Sequence, residues 1–263
     1  MCERSAGFAD HFSGIASSYA RYRPGYPAAL GEWLAARASA RRRAWDCGAG
    51  NGQVALMLAG HFAHVVASDP SREQLAAAAR HPAISYVRAT AERVPFAAGS
   101  FDLIGVGQAL HWFDRPAFFA EAQRVLASGG LIAVWCYGVL SVEPAIDRLL
   151  HELYYDVVGS YWPPERALVD RGYADVELPF DEIDAPLLAV EHGWTLSDLL
   201  GYIGTWSASM RYRENTGRDA ADVIRSRLER AWGDAATRRL VRWPLHIRAG
   251  YSARRRSAGP PPV

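Results

Sequence analysis

The sequence contains no lysine, so all 29 of its basic side chains are arginines. This absence excludes reactions that use a lysine amine as a nucleophile or in a Schiff base. Cysteine is scarce as well, and Cys2, Cys47 and Cys136 show no repeated spacing. The sequence therefore predicts neither a disulfide framework nor a zinc site. Cys47 and Cys136 lie in apolar runs and are expected to pack as small core residues.

An excess of one charge sign is also missing, because 29 basic and 28 acidic residues give a net charge of +1. A near-neutral chain disfavours non-specific binding to nucleic acids or membranes. No run of about 18 apolar residues is present, and the polar segment 1–10 does not resemble a signal peptide. We therefore expect a cytoplasmic protein with neither a membrane nor a nucleic acid as partner.

What the sequence does contain is an alternation of strand-like and helix-like segments in its first half. Helices are predicted over 51–60, 71–80 and 116–126, between short apolar runs. Strands connected by such helices form a parallel sheet that is covered on both faces. The predicted strands are Ala44–Cys47, His64–Ser68, Ile84–Ala89, Phe101–Gly107 and Leu131–Tyr137.

The second half differs in composition, since residues 143–215 are rich in tryptophan, tyrosine and proline. The sequence pattern predicts further helices and strands here, and the residues after Tyr251 are basic and then proline-rich, which predicts a disordered tail. The predicted helices are 143–158, 195–209 and 219–232, the strands are 176–183 and 240–247, and the tail is 252–263.

The sharpest signal is a glycine-rich turn between the first predicted strand and the first helix. Gly48, Gly50 and Gly52 follow Asp46, and glycines here permit positive φ and a close approach of the backbone to a ligand. Asp69 ends the second strand, where a carboxylate can accept hydrogen bonds from the hydroxyls of a ribose. Together these residues predict an adenosine-binding α/β fold.

Two adenosine cofactors are compatible with this turn. Dinucleotide-binding turns have the pattern GxGxxG, whose third glycine packs the helix against the strand, but Gln53 occupies that position here. The GxGxG spacing after Asp46 instead resembles motif I of class I methyltransferases, which use S-adenosylmethionine (SAM). A nicotinamide-dependent oxidoreductase would also need a hydride-transfer motif, and we find none downstream.

Further segments in the expected order extend this resemblance over residues 44–137. Thr90-Ala91-Glu92 follows the third strand, at the step where class I methyltransferases contact adenine. Segment 108–113 (QALHWF) follows the fourth strand, and segment 124–130 resembles the RVLxxGG turn before the fifth. The sequence is therefore identified as a member of the class I SAM-dependent methyltransferases.

Flanking motifs resemble one branch of this family, the trans-aconitate methyltransferase-like proteins. The resemblance implies a Rossmann-like α/β fold, with a seven-stranded, mostly parallel sheet, helices on both faces and a helical cap over its carboxyl edge. It also implies one domain over 1–251, a SAM-binding core at about 40–137 and a last antiparallel strand. The motifs are Phe12, Tyr19, Arg23-Pro24, Tyr26-Pro27, the QALHWF segment, Tyr202, Thr205–Ser207 and Trp243–Leu245.

The chemistry of methyl transfer then suggests the site residues of a small-molecule methyltransferase. A carboxylate acceptor needs no general base, whereas a hydroxyl or carbon acid needs one, for which His111 is the candidate. Arginines would orient a carboxylate, and Arg23, Arg211 and Arg213 are the candidates, Arg23 also as a catalytic residue. No metal is expected. The predicted SAM-binding residues are Tyr19, Asp46, Gly48, Gly50, Gly52, Asp69, Ala91, Glu92, Gln108 and Trp112.

Alternatives stay open at the level of sequence. The protein could be a SAM-binding module without activity, or a methyltransferase of a macromolecule that binds at the arginine clusters 41–43 and 254–256. His111 and Trp112 can instead be a packed pair, and Arg211 and Arg213 a solvated face. The acceptor, the methylated atom and the oligomeric state do not follow from the sequence.

Overall fold

Eight β-strands form one mixed sheet in the computed structural model, which describes residues 25–253. They are β1 (Arg43–Cys47), β2 (His64–Asp69), β3 (Ile84–Arg88), β4 (Phe101–Gly107), β5 (Leu126–Tyr137), β6 (Asp181–Ile183), β7 (Leu188–Trp194) and β8 (Arg239–Tyr251). The first five run parallel in the order β3-β2-β1-β4-β5. β8 pairs antiparallel with β5, which confirms the predicted parallel sheet and its antiparallel last strand.

The sheet has eight strands where the sequence predicts seven, because two short strands share its last position. β6 pairs with residues 249–251 of β8, and β7 pairs with residues 239–245. The sequence does not predict β7, in which only Val190 is buried and no alternating pattern arises. The predicted strand over 176–183 is wrong except for its last three residues, which form β6.

Nine α-helices lie in the part of the chain that the structure describes. They are α1 (Ala28–Arg37), α2 (Gln53–Ala59), α3 (Arg72–Ala77), α4 (Arg115–Val125), α5 (Pro144–His151), α6 (Arg166–Asp170), α7 (Leu196–Gly204), α8 (Ser207–Thr216) and α9 (Arg225–Trp232). No helix within residues 25–253 is long and apolar enough to cross a membrane.

Several predicted helices are shorter or interrupted. The helix predicted over 143–158 is α5, which continues directly as a π-helix over Glu152–Val157. The helix predicted over 195–209 is wrong as one element, because the chain leaves α7 at Thr205 and enters α8 after Trp206. The helix predicted over 219–232 begins with the 3₁₀ turn Ala220–Val223 before α9.

Consecutive strand residues point to opposite faces of the sheet and build two hydrophobic clusters. Leu103 and Trp135 lie in one cluster, together with residues of α1, α2, α5 and α7. Trp45 and Ile104 lie in the other, with residues of α4 and α6. The alternation follows from the twofold period of a strand, and it confirms that helices cover both faces.

The helix α7 begins with a capping box. The Thr195 side chain accepts a hydrogen bond from the N–H of Asp198, and the Asp198 carboxylate accepts one from the N–H of Thr195 at 3.0 Å. Thr195→Ala removes half of this arrangement, and we expect it to cost about 1 kcal/mol of stability. Thermal unfolding should show a melting temperature lower by roughly 2–4 °C. Ser197 is an exposed residue on the same helix, so Ser197→Ala is the control and should leave the melting temperature unchanged. An equal loss of melting temperature in both variants would contradict the role of the cap.

Candidate functional site

The parallel strands β1, β2 and β4 end at one edge of the sheet, and a cleft of about 1280 Å³ opens there. In open α/β sheets ligands bind outside the carboxyl ends of the strands. The structure brings most of the predicted site residues to this cleft. Those that line it are Gly48, Gly50, Asp69, Ala91, Glu92, Gln108, His111, Trp112 and Arg211.

Asp69 connects the glycine turn to the end of β2. Its carboxylate accepts hydrogen bonds from the backbone N–H groups of Gly50, at 2.9 Å, and of Ser71, at 2.8 Å. Gly50 has a φ of +53°, and a Cβ at this position would meet no atom closer than 3.8 Å. The turn therefore presents bare backbone beside a carboxylate, which suits a ligand that carries hydroxyl groups.

Two residues of the predicted cofactor site that fall within 25–253 are not among those that line the cleft. A Cβ on Gly52, whose φ is +84°, would lie 2.7 Å from the hydroxyl oxygen of Tyr86, so this glycine permits close packing behind the turn. Asp46 is completely buried, and its oxygens make no hydrogen bond to residues 25–253. Burial raises the pKa of Asp46 to about 8, and the charge of Asp69 adds to the rise. The Asp46 carboxyl is therefore mainly protonated at neutral pH.

Glu92 links the turn after β3 to the segment after β4. Its carboxylate accepts a hydrogen bond from the backbone N–H of Asp114 at 3.0 Å. Asp114 in turn caps α4 by accepting a hydrogen bond from the N–H of Ala117 at 3.3 Å. The Ala91-Glu92 step thus both lines the cleft and fixes the neighbouring wall.

Gln108 follows β4 in a strained conformation. Its φ is +54°, which is rare outside glycine. Its side-chain N–H donates a hydrogen bond to the Tyr137 carbonyl at 3.0 Å, while its Oε1 is buried without a hydrogen-bond partner in the described chain. Backbone strain together with an unpartnered buried acceptor is typical of a ligand-binding position.

His111 is buried and contacts the hydroxyl of Tyr173, with 2.9 Å between Nδ1 and the oxygen. Burial raises the pKa of Tyr173 well above its ordinary value, while the backbone N–H groups of His111 and Leu110, which approach its oxygen, oppose the rise. Either group can donate the hydrogen bond between Nδ1 and the hydroxyl, because the role of Nδ1 depends on the tautomer of His111.

A smaller cavity of about 50 Å³ adjoins the cleft and shares Gln108, His111, Trp112 and Pro163 with it. Its other walls come from the π-helix that follows α5 and from α6, α7 and α8, which confirms a helical cap at the carboxyl edge. The residues of these walls include Tyr154, Trp162, Arg166, Tyr202, Trp206 and Ser207.

Of the three arginines that the sequence suggests as ligands of the acceptor, two lie within the described residues, and only one of these lines the cleft. Arg211 lines the cleft and donates a hydrogen bond to the Tyr161 carbonyl at 3.3 Å. Arg213 forms an exposed ion pair with Asp219 and is not among the residues that line either cavity. Arg23 and Tyr19 lie outside the described residues. Arg166 lines the small cavity, but the sequence does not single it out, because one arginine on a short helix carries no recognisable pattern.

Comparisons with known proteins agree with this geometry. A family model described as a methyltransferase domain matches residues 45–134. A methyltransferase of Dictyostelium discoideum is 32% identical over 229 residues, which cover 86% of this chain and 87% of that protein. An S-adenosylmethionine-dependent methyltransferase of Saccharomyces cerevisiae is 26% identical over 253 residues, covering 80% of this chain and 86% of that protein. The solved structure of a type II methyltransferase from Anaeromyxobacter dehalogenans is 42% identical, with a TM-score of 0.84, and the match covers 88% of this chain and 99% of that one.

Proposed function

Because this chain belongs to the family of class I SAM-dependent methyltransferases, we propose that it methylates a small molecule and that the acceptor is a carboxylic acid. The motifs similar to the trans-aconitate methyltransferase-like branch support this acceptor class. The observation that carries the proposal is the wall shared by the cleft and the small cavity, where Gln108, His111 and Trp112 line both. A cofactor in the cleft and an acceptor in the cavity would meet at these residues.

The cleft has the features that a SAM site requires. Bound SAM supplies a methyl group on a positively charged sulfur, which leaves as a neutral thioether. Each oxygen of the Asp69 carboxylate can accept more than one hydrogen bond, so ribose hydroxyls can bind in addition to the N–H groups of Gly50 and Ser71. The open space at Gly50 lets the ligand approach the backbone. Ala91 and Glu92 would line the adenine side, and Tyr19, outside the described residues, stays a predicted ligand.

His111 is suited to orient an anionic acceptor. In the tautomer in which Nδ1 accepts the Tyr173 hydroxyl proton, Nε2 carries the ring proton, and an N–H group of this kind stabilises a carboxylate. A hydroxyl or carbon acceptor would require a base instead. Arg23 and Arg211 remain predicted ligands of the acceptor, and the ion pair of Arg213 with Asp219 makes it the weakest of the three candidates.

Calorimetric titration with SAM, S-adenosylhomocysteine (SAH) and NAD tests the cofactor part of the proposal. We expect SAM and SAH to bind with dissociation constants on the order of micromolar, equivalent to about 8 kcal/mol, and NAD not to bind. A folded sample that binds neither SAM nor SAH would contradict the proposal.

Methyl transfer from labelled SAM to small mono- and polycarboxylates tests the acceptor part. We expect labelled methyl esters, which mild base hydrolyses. SAM binding without transfer to any small molecule would favour a binding module, and transfer to RNA or protein in place of acids would favour a macromolecular acceptor.

A further inference from the structure

We propose that Arg166 is the anion-binding residue of the small cavity and that it selects acceptors that carry a carboxylate. The inference rests on the proposed function, since it assigns the cavity to the acceptor. The principal cationic contact of the acceptor would then be Arg166, on α6, and not one of the arginines that the sequence suggests.

The Arg166 guanidinium is held in one position from two directions. Its Nε donates to the Tyr154 hydroxyl at 2.6 Å, and the Asp170 carboxylate lies 3.3 Å from the same Nε. The guanidinium carbon lies 4.8 Å from the ring centre of Trp162 and 5.4 Å from that of Tyr154. A side chain that is fixed in this way loses little further entropy when it binds a ligand.

The terminal nitrogens of Arg166 are left for another partner. Within residues 25–253, neither Nη atom donates a hydrogen bond, although the side chain is only 16% exposed. An arginine has five N–H donors in a planar fork, and the four on Nη1 and Nη2 match the two oxygens of a carboxylate. The Asp170 carboxylate lies on the Nε side of the guanidinium, where it also accepts a hydrogen bond from the Tyr154 hydroxyl at 2.6 Å. Within residues 25–253, Nε of Arg166 therefore has hydrogen-bond partners, whereas the N–H groups on Nη1 and Nη2 have none.

The surroundings favour an anion over a cation. The faces of Tyr154 and Trp162, which could bind an ammonium group, are already occupied by the guanidinium. His111, a polar side chain, lines the same cavity. The volume of about 50 Å³ corresponds to roughly the space of a few water molecules, which fits one small anionic group at the end of an acceptor.

Matched ligands test this inference on the unmodified protein. Benzoate and succinate are titrated by ligand-observed NMR against benzamide and succinamide, with and without SAH. We expect each acid to bind at least about tenfold more tightly than its amide, because a hydrogen bond to a charged group is worth more than one to a neutral group. Phenyl phosphate is included to distinguish a carboxylate site from a phosphate site, and we expect it to bind more weakly than benzoate. Equal binding of acids and amides, or stronger binding of phenyl phosphate, would overturn the proposal.

Variants test whether the preference for acids over amides depends on Arg166. Arg166→Gln should reduce the preference for acids by about tenfold, and Arg166→Lys should keep part of it. Arg225→Gln, in the exposed ion pair with Asp222, should keep all of it. SAH affinity and the melting temperature verify that each variant is folded. A full preference for acids in Arg166→Gln would refute the assignment. Failure of SAH to bind would contradict the proposed cofactor but not the anion site, because the acids are also titrated without SAH.

Discussion

Replacement of Asp69 by alanine is expected to weaken SAM binding by about 100-fold or more. The carboxylate accepts hydrogen bonds from the backbone N–H groups of Gly50 and Ser71. Its loss therefore releases the glycine turn and also removes the proposed acceptor for the ribose hydroxyls. Hydrogen bonds to a charged group contribute roughly 1.5–3 kcal/mol each, and two of them account for this factor. Calorimetry with SAM and SAH measures the change.

The matched variants for this experiment separate charge from position. Asp69→Asn keeps one oxygen acceptor and loses the charge, so its affinity should fall between those of the wild type and Asp69→Ala. Asp156→Ala removes an exposed acid that does not line the cleft and should bind SAM like the wild type. Unchanged affinity in a folded Asp69→Ala protein would mean that the ligand does not bind beside the glycine turn.

The parallel half of the sheet was predictable because its signals are local. β4 has the predicted bounds, and β1, β2 and β3 differ from prediction by one residue at one end. The apolar runs of β1, β2 and β4 end at Gly48, Asp69 and Gly107, so both the strand and the turn are encoded within a few residues. β5 begins five residues earlier than predicted, at Leu126, because that residue pairs with Phe101 across a register shift. Such pairing depends on a residue distant in sequence.

The acceptor side of the site was not predictable in the same way. Arg166 becomes a candidate only because Tyr154, Trp162 and Asp170 hold it beside Gln108 and His111. None of these contacts produces a periodic pattern, and neither does the single buried residue of β7 or the contact of His111 with Tyr173. The glycine turn would bind its ligand through the backbone, which the sequence encodes directly, whereas the cavity is formed by side chains from four separate helical segments.

The buried carboxyl of Asp46 should make the stability of the protein depend on pH. Its pKa is raised from an ordinary value of 3.8 to about 8 in the folded protein, mainly by burial. The folded state therefore holds a proton that the unfolded state releases between these values. The resulting stabilisation is fully present below pH 3.8 and is lost as the pH rises through about 8. Between pH 5 and pH 7 the loss amounts to about 1.4 kcal/mol per pH unit, or roughly 2–3 kcal/mol in total.

Asp46→Asn tests this dependence, because the amide resembles the protonated carboxyl in shape but does not titrate. The two additional N–H donors of the amide are buried and can cost stability, but that cost does not change with pH. We therefore expect the melting temperature of the wild type to fall by about 5–10 °C more than that of Asp46→Asn between pH 5 and pH 7. A carbon-13 NMR titration locates the Asp46 carboxyl directly, since its signal is missing in the variant. Parallel pH profiles of the two proteins would contradict the prediction, because they would show that folding does not raise the pKa of Asp46.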